Sequence, residues 1–252
     1  MASRKRGWVL ATIAFIIRPL LLVLTKRSWR GLEHIPSDRG FIFVANHISH
    51  SDPLLFAHFA YDNGVPPRFL AKQGVFKYPV IGRILLATGQ VPVRRGTTDV
   101  TSSFAGALEA VGEGYGVIVY AEGSITRDPD LWPMIGKTGA ARLALQTGCP
   151  VIPVAQWGAQ NVLWPYTKWP RLFPRKTIEV LVGPPVDLDD LRGRKVTSPL
   201  LHEATDRIMA DVSALLGEIR GEKPPDVRFD PRAHGLPETG NPGRPYNRPG
   251  DA

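Results

Sequence analysis

A histidine and an aspartate, His47 and Asp52, lie five residues apart in the stretch NHISHSD, directly after the apolar run FIFVA. Histidine is the usual general base near neutral pH, because its unperturbed pKa is about 6.5. A carboxylate on the other ring nitrogen fixes the tautomer and stabilises the imidazolium. Five residues across a strand-to-helix turn can bring the two side chains together. No serine stands in a G-x-S-x-G motif, so the pair predicts a base that acts directly on a substrate hydroxyl.

Two other interpretations of this motif stay open. Asp52 precedes Pro53, and either Ser51 or Asp52 is a suitable N-cap for the helix that follows. His47, His50 and Asp52 also form an H-x-x-H-x-D pattern, but the remaining histidines supply no second cluster with metal-type spacing. We therefore predict no metal site and expect His50 in a solvent-facing loop.

A second group of polar residues follows the buried apolar run GVIVYA. Glu122 and Gly123 come first, and Arg127 and Lys137 follow. A third run, VPVRR, ends in Arg95. Arginine can hold a phosphate through two parallel hydrogen bonds, and lysine binds it as a point charge. Each cation taken singly is equally compatible with a solvated surface charge, so the candidates depend on their position in the fold.

Short apolar runs alternate with segments of helical periodicity along the middle of the chain. We expect strands at residues 41–45, 68–71, 90–93, 116–121, 151–155 and 177–182, and helices at 53–61, 75–88, 98–111, 137–147 and 199–220, the last capped by Ser198. This alternation predicts an α/β fold with a mostly parallel central sheet flanked by helices. In such sheets ligands bind beyond the carboxyl ends of the strands, where both polar motifs begin.

The N-terminal apolar segment, WVLATIAFIIRPLLLVLT, has Arg18 near its middle, followed by Pro19, and basic residues on both sides. A central charge and a length below about 20 residues argue against a membrane span, and no small-residue site follows for signal cleavage. We predict a membrane-anchoring helical segment over residues 1–30, either two short helices bent near Arg18 or one helix in the membrane interface. A core helix and a true span are the alternatives.

Composition sets the wider limits. The chain of 252 residues has a formal net charge of +8 and a pI near 9.8, which suits an anionic partner. Residues 31–222 are predicted to form the folded domain, and the Pro- and Gly-rich residues 223–252 an extended or disordered tail. The single cysteine, Cys149, allows no intrachain disulfide. No nucleic-acid-binding motif is present, so anionic lipid and phosphorylated substrates are the expected partners.

Four sequence blocks resemble the glycerophospholipid acyltransferase family of 1-acylglycerol-3-phosphate acyltransferases. NHISHSD resembles its N-H-x4-D block, and GQVPVRR its second block, a glycine followed six residues later by arginine. AEGSITRD resembles the third block, usually P-E-G-T-R-S, and VIPVA the fourth. The blocks occur in the family's order over roughly residues 31–191, which is far more specific than any single motif.

The resemblance implies a role for each matched residue. His47 would be the general base and Asp52 its orienter, Arg95 would contact the acceptor phosphate, and Glu122 and Gly123 would shape the same pocket. The donor would be an acyl thioester, acyl-CoA or acyl-ACP, with no cofactor. Ile125 stands where the family has arginine, and Ala121 where it has proline. Arg127 is therefore the expected substitute, and a headgroup other than that of lysophosphatidic acid stays open.

Together these features predict a membrane-surface O-acyltransferase that acts on a lysophospholipid, peripheral or monotopic on the cytoplasmic face of the cell membrane. Four tryptophans, Trp132, Trp157, Trp164 and Trp169, flank the third block and are expected either in the core or along an acyl or interface groove. A catalytically silent membrane scaffold and a metal-dependent lipid hydrolase are the alternative functions.

Overall fold

The structure is a computed structural model that describes residues 7–93, 100–238, 240 and 242. The strands are β1 Thr25–Arg30, β2 Phe41–Ala45, β3 Leu70–Lys72, β4 Val91–Val93, β5 Gly116–Tyr120, β6 Val151–Trp157 and β7 Lys176–Val182. The α-helices are α1 Trp8–Leu24, α2 Asp52–Asp62, α3 Pro79–Ala87, α4 Val100–Gly112, α5 Gly139–Thr147, α6 Ala159–Val162 and α7 Ser198–Arg220. Short 3-10 helices lie at Leu32–His34, Gln73–Lys77 and Asp189–Leu191.

The main sheet has five strands in the order β1-β7-β6-β2-β5, and β3 and β4 form a separate parallel pair. Three pairings in the main sheet are parallel, but β6 and β7 are antiparallel. The main sheet is therefore mostly parallel, as predicted, but one antiparallel pairing makes it a mixed sheet. The chain between β6 and β7 contains only the four-residue α6 and irregular structure, and an antiparallel neighbour needs no helical crossover over a sheet face.

Both faces of the sheet are covered, and β2 shows how its side chains divide between them. Ile42 and Val44 join the core beneath α4, α5 and α7, whereas Phe41, Phe43 and Ala45 join the aromatic core beneath α2. Successive side chains of a strand point to opposite faces, so a strand that is apolar throughout must lie between two layers. This burial places β2 centrally, between β5 and β6, and puts the residue after Ala45 at the middle of the carboxyl edge.

The N-terminal segment is helical only in its first part. α1 is a single helix that contains Pro19, and residues 25–30, predicted as part of a helical anchor, form β1 at the sheet edge beside β7. Its polar sequence TKRSWR suits an edge strand, where Lys and Arg remain in water. In the part of the chain that the structure describes, no helix is long and apolar enough to cross a membrane.

Arg18, the charge in the middle of α1, pairs with the protein body. Its Nε lies 2.6 Å from Asp62 Oδ1 at the end of α2, and Arg27 of β1 lies 3.2 Å from the other oxygen of the same carboxylate. On the same side, Leu21 of α1 packs in a cluster with Ile48 and Leu55. One side of α1 is thus attached to the core.

Two helix ends differ from the predictions for clear local reasons. The helix predicted over residues 75–88 is a 3-10 helix followed by α3, because Tyr78 is extended ahead of Pro79 (φ −75°, ψ 122°). α7 is capped by Thr197 and not by Ser198, since the Thr197 hydroxyl accepts a hydrogen bond from the backbone N–H of Leu200.

The C-terminal tail packs back onto the domain as far as it is described. Phe229 forms a parallel bridge with Met134, and its carbonyl accepts a hydrogen bond from Ile135 N at 3.1 Å. Composition alone predicts an extended or disordered tail, because prolines and glycines disfavour regular elements. The tail indeed forms no helix or strand in the described residues, yet it is held against the loop that follows the third sequence block.

Candidate active site

The NHISHSD motif forms the turn from β2 into α2. Asn46 fixes the start of this turn, because its side-chain amide donates to Gln156 O at 3.0 Å and its carbonyl oxygen accepts from Gln156 N at 2.8 Å. The Gln156 side chain donates in turn to the backbone carbonyl of Asn46 at 2.8 Å. Both residues are buried. These bonds join the ends of β2 and β6 and leave His47 as the first residue past the sheet edge.

His47 and Asp52 are in direct contact. The distance from His47 Nδ1 to Asp52 Oδ2 is 2.8 Å, and the same oxygen accepts backbone N–H groups from Ile48 at 2.6 Å and Ser49 at 2.8 Å. A carboxylate oxygen can only accept, so this bond places the ring proton on Nδ1 and the lone pair on Nε2. Asp52 is fully buried, while the His47 side chain is 15% exposed. The arrangement presents an oriented, accessible imidazole base.

The carboxylate of Asp52 faces back toward the turn. Ser51 holds the N-cap position, and no side-chain cap hydrogen bond forms there. The helix-cap interpretation of Asp52 is thus replaced by contacts with the histidine ring and two preceding backbone groups. His50 is exposed, as expected, and its ring meets Tyr166 edge-on.

Glu122 lies beneath the motif and links it to the third block. Oε1 accepts His47 N at 2.8 Å, and Oε2 accepts Met134 N at 2.9 Å. Burial raises the pKa of this carboxyl from 4.5 to about 8, although the two N–H donors act in the opposite direction. Gly123 takes a left-handed conformation (φ 76°) that a side chain would strain, and its N–H bonds to Tyr120 O, so it makes the turn after β5.

Two further residues that sequence reasoning missed position His47. The Tyr120 ring stacks on the imidazole of His47, with 4.2 Å between the ring centroids. The backbone N–H of Thr126 donates to the backbone carbonyl of His47 at 2.7 Å. Asn46 and Gln156 were missed in the same way. A sequence signal existed for these last two, since each is a polar residue at the end of an apolar strand. Tyr120 and Thr126 carried no such signal.

Two of the three predicted substrate-binding cations, Arg127 and Lys137, contact the C-terminal tail. Arg127 is 1% exposed, and its guanidinium donates to Pro237 O, to Gly240 O at 2.8 Å and to the Tyr166 hydroxyl. Lys137 Nζ lies 2.7 Å from Glu238 Oε2. Arg95, the third predicted cation, lies outside the described residues.

Glu238 is held from three sides. Arg232 and Lys137 bond to its carboxylate and lower its pKa to about 2, and its backbone carbonyl accepts from Ser124 Oγ at 3.0 Å. A cavity of about 500 Å³ lies next to it, bounded by Glu122, Lys137, the first half of α7 and the tail. The tail therefore brings a carboxylate and backbone carbonyls to the groups that were expected to hold an anionic headgroup.

The tryptophans divide into two kinds of environment. Trp132 is buried, and its ring and that of Trp157 enclose the Arg220 guanidinium. The guanidinium carbon lies 4.2 Å from the ring centroid of Trp132 and 4.8 Å from that of Trp157. Trp164 packs beside α1, whereas Trp169 is 85% exposed. Three of the four are thus packing residues. Among the described residues, no group of three or more His, Cys, Asp or Glu side chains is arranged to hold a metal ion.

A family model described as Acyltransferase matches residues 26–157, which span β1 to β6 and include His47, Asp52, Glu122, Arg127 and Lys137. The chain belongs to the acyltransferase family. It is 31% identical over 140 residues to a chloroplastic 1-acyl-sn-glycerol-3-phosphate acyltransferase from Brassica napus, covering 55% of this chain and 39% of that protein. It is 32% identical over 115 residues to a lyso-ornithine lipid O-acyltransferase from Pseudomonas aeruginosa, covering 45% of this chain and 42% of that protein.

The chain spans about half the length, or less, of the curated relatives it matches. Its fold is similar to that of the 1-acyl-sn-glycerophosphate acyltransferase PlsC from Thermotoga maritima, with a TM-score of 0.63 and 23% identity over 84% of this chain and 80% of the other. The family match confirms the resemblance drawn from the four blocks. The structural match supports the α/β architecture with a mixed sheet and helices on its faces.

Proposed function

We propose that this chain is a membrane-associated O-acyltransferase that transfers a fatty acyl group from acyl-CoA or acyl-ACP to the free hydroxyl of a lysophospholipid. The leading acceptor is 1-acylglycerol-3-phosphate, which would give phosphatidic acid. The observation that carries the proposal is the 2.8 Å contact between His47 and buried Asp52 in a chain of the acyltransferase family. Support for the acceptor comes from the plant relative, which is a 1-acyl-sn-glycerol-3-phosphate acyltransferase.

In the proposed reaction, His47 Nε2 takes the proton of the acceptor hydroxyl as its oxygen attacks the thioester carbonyl. Asp52 accepts from Nδ1 and stabilises the imidazolium that forms. The tetrahedral intermediate collapses with cleavage of the carbon–sulfur bond, and the proton passes from His47 to the departing thiolate. The products are the oxygen ester and the free thiol of the carrier, so no acyl-enzyme is required.

Arg127, Lys137 and Arg95 are the proposed contacts for the acceptor phosphate. Arg127 and Lys137 now bond to carbonyl and carboxylate oxygens of the tail, which are the same kind of acceptor as phosphate oxygens. A phosphate headgroup would therefore replace these tail contacts when it binds. Glu122 and Gly123 would shape the pocket without carrying charge to the headgroup, since the raised pKa of Glu122 favours its neutral form near pH 7.

A different lysolipid headgroup is the second candidate, favoured by two observations. One relative acts on a lyso-ornithine lipid. In addition, the third block of this chain has Ile125 where an arginine is usual, and the Ile125 side chain is buried. A site with fewer cations would tolerate an acceptor whose headgroup carries an amine.

Exposed apolar side chains on α1 and α3 support the proposed membrane association. On α1 they are Trp8, Phe15, Ile16, Leu20 and Val23, and near or on α3 they are Tyr78, Val80, Ile81, Ile84 and Leu86. The two helices are in contact. The opposite side of α1 is attached to the core through Arg18, so we propose that α1 lies in the membrane interface on the cytoplasmic face.

The experiment that tests this function is acyl transfer by purified protein, with a panel of lysolipids and both acyl-CoA and acyl-ACP. His47→Ala protein is the matched control. Thioester-dependent product from the wild type alone would support the proposal and exclude a silent scaffold. Lysolipid breakdown that needs no thioester and stops with a chelator would instead favour the hydrolase. Comparison of lysophosphatidic acid with a lyso-ornithine lipid would decide between the two acceptors.

A further inference from the structure

The segment between α6 and β7 contains two of the most exposed large apolar side chains among the described residues, Trp169 and Phe173. We call residues 167–175, TKWPRLFPR, the aromatic loop. Every residue in it is exposed, with Trp169 at 85% and Phe173 at 72%. Large apolar side chains grouped on a surface are unfavourable in water and mark an interaction site.

The charges of the aromatic loop identify the kind of partner that it fits. Lys168, Arg171 and Arg175 lie among the apolar residues, and the loop has no acidic residue. Tryptophan prefers the level of lipid headgroups, and lysine and arginine are drawn to anionic lipid phosphates. This mixture of aromatic and basic side chains matches the surface of an anionic bilayer.

The aromatic loop is attached to the C-terminal end of α1. Arg175 Nη2 donates to Leu22 O and Thr25 O, both at 2.7 Å. Just before the loop, Trp164 packs in the same cluster as Leu21. Leu20 and Val23 of α1 are exposed at the same end of the helix. The loop therefore lies at the C-terminal end of α1, the helix that the proposed function places against the membrane.

The segment that leads into the loop also contacts the catalytic turn. Ser49 Oγ donates to Leu163 O at 2.6 Å, and Ser51 Oγ donates to Ala159 O at 3.2 Å. Tyr166, directly before the loop, meets the ring of His50 edge-on. A membrane contact made by the loop would thus be transmitted through few bonds to the turn that holds His47.

We propose that the aromatic loop is a second bilayer contact, with Trp169 and Phe173 at the boundary between headgroups and acyl chains and Lys168 at the lipid phosphates. Together with α1 it holds the His47 side of the domain against the leaflet that supplies the acceptor. The inference rests on the proposed membrane-associated function. It adds a contact that is separate in sequence from the N-terminal helix.

The test uses the full chain and sedimentation with phosphatidylcholine vesicles, with and without phosphatidylglycerol. The double variant Trp169→Ser/Phe173→Ser should bind vesicles about tenfold more weakly or worse, because two aromatic side chains no longer leave water. Lys168→Gln should weaken binding about fivefold, and only to vesicles with phosphatidylglycerol, the equivalent of about 1 kcal/mol for one lysine at the surface. Val227→Ser is the control, since Val227 is an equally exposed apolar residue, at 83%, but follows α7 and lies outside the aromatic loop. Its replacement should leave vesicle binding unchanged.

A second measurement reports on Trp169 itself. Brominated lipids should quench wild-type fluorescence more than that of Trp169→Phe protein, and the difference isolates this ring from Trp8 on α1. Unchanged vesicle binding by the double variant, or no quenching difference, would overturn the inference.

Activity in detergent separates this inference from the proposed function. The double variant should keep its acyl transfer on detergent-solubilised acceptor while losing it on vesicles. Equal loss in both settings would show that the loop acts within the active site and would also overturn the bilayer contact. If the wild type transferred no acyl group in any setting, the proposed function would fail, while the binding and quenching results would still decide the role of the loop.

Discussion

Residues 46–52 are held by the sheet, whereas Arg127 and Lys137 are held by the C-terminal tail. The first region bonds to neighbouring strands and loops of the same domain, through Gln156 and Glu122. The second bonds to Pro237, Glu238 and Gly240. A base must be oriented before the substrate arrives, but a headgroup site must be able to exchange its contacts. The turn at residues 46–52 is therefore preorganised, and the tail occupies the place that the proposed function assigns to the headgroup.

The largest effect is expected at His47, the centre of the preorganised region. His47→Ala should lower the rate of acyl transfer by about 10²–10⁴, since a general base contributes on that order. The ring is partly exposed, so the midpoint of thermal unfolding should change little. Steady-state kinetics and calorimetry measure the two quantities. Near-normal turnover would contradict the base assignment.

Asp52→Asn removes charge from the same turn while keeping its shape. An amide oxygen in place of Oδ2 can still accept from Ile48 and Ser49, so stability should be almost unchanged. The imidazolium would lose its counter-charge, and the rate should fall by roughly 10² or more. Full activity in this variant would leave Asp52 with a purely structural part in the turn.

Arg127→Ala tests the region held by the tail. We expect the KM for a phosphate-bearing acceptor to rise about tenfold or more, with a smaller effect on the KM for the donor, because a charge-assisted hydrogen bond contributes roughly 1.5–3 kcal/mol. Arg127→Lys should restore part of the loss. Tyr166→Phe is the control, because it removes one hydrogen-bond partner of Arg127 but leaves the charge of the Arg127 guanidinium in place. A change confined to the donor KM would assign Arg127 to the carrier.

Glu122 connects the two regions and predicts a pH dependence of stability. The pKa of Glu122 in the folded state, about 8, lies above the ordinary value of 4.5. Between pH 4.5 and 8 the folded state therefore binds more protons than the unfolded state. The stability that the protonated carboxyl contributes falls as pH rises through this window. The slope approaches roughly 1.4 kcal/mol per pH unit. Glu122→Gln cannot ionise, and its urea-unfolding free energy should lack this component between pH 5 and 8. Parallel pH profiles for the two proteins would show that the carboxyl is charged throughout.

The smallest effect is expected at Glu238. This partly exposed ion pair with Lys137 is worth about 0.2–1 kcal/mol. Glu238→Gln should therefore lower the acceptor KM by up to about fivefold, as Lys137 becomes available to the headgroup. Asp226→Asn, which removes a carboxylate from another exposed lysine pair, is the matched control. A raised KM would mean that Glu238 helps to bind the acceptor, and the two regions would then be equally preorganised.

Much of the fold could be predicted because its signals are local. Strand β2 was predicted at its observed bounds, and β5 and α7 within one residue, from apolar runs, helical periodicity and Pro199 at a helix start. Strand β1 could not be predicted in this way. Its polar sequence forms a strand because β7 offers a partner, and the N-terminal apolar segment next to it suggested a longer helix.

The sequence by itself determined the order of the four blocks, the α/β class and the five-residue spacing that lets His47 meet Asp52, because each depends on residues that are close in the chain. Tertiary structure alone decided the antiparallel pairing of β6 with β7, the burial that makes Glu122 a weak acid, and the tail that covers Arg127. These features depend on contacts between residues far apart in sequence. Solvent exclusion and partner geometry, which no local pattern encodes, determine them.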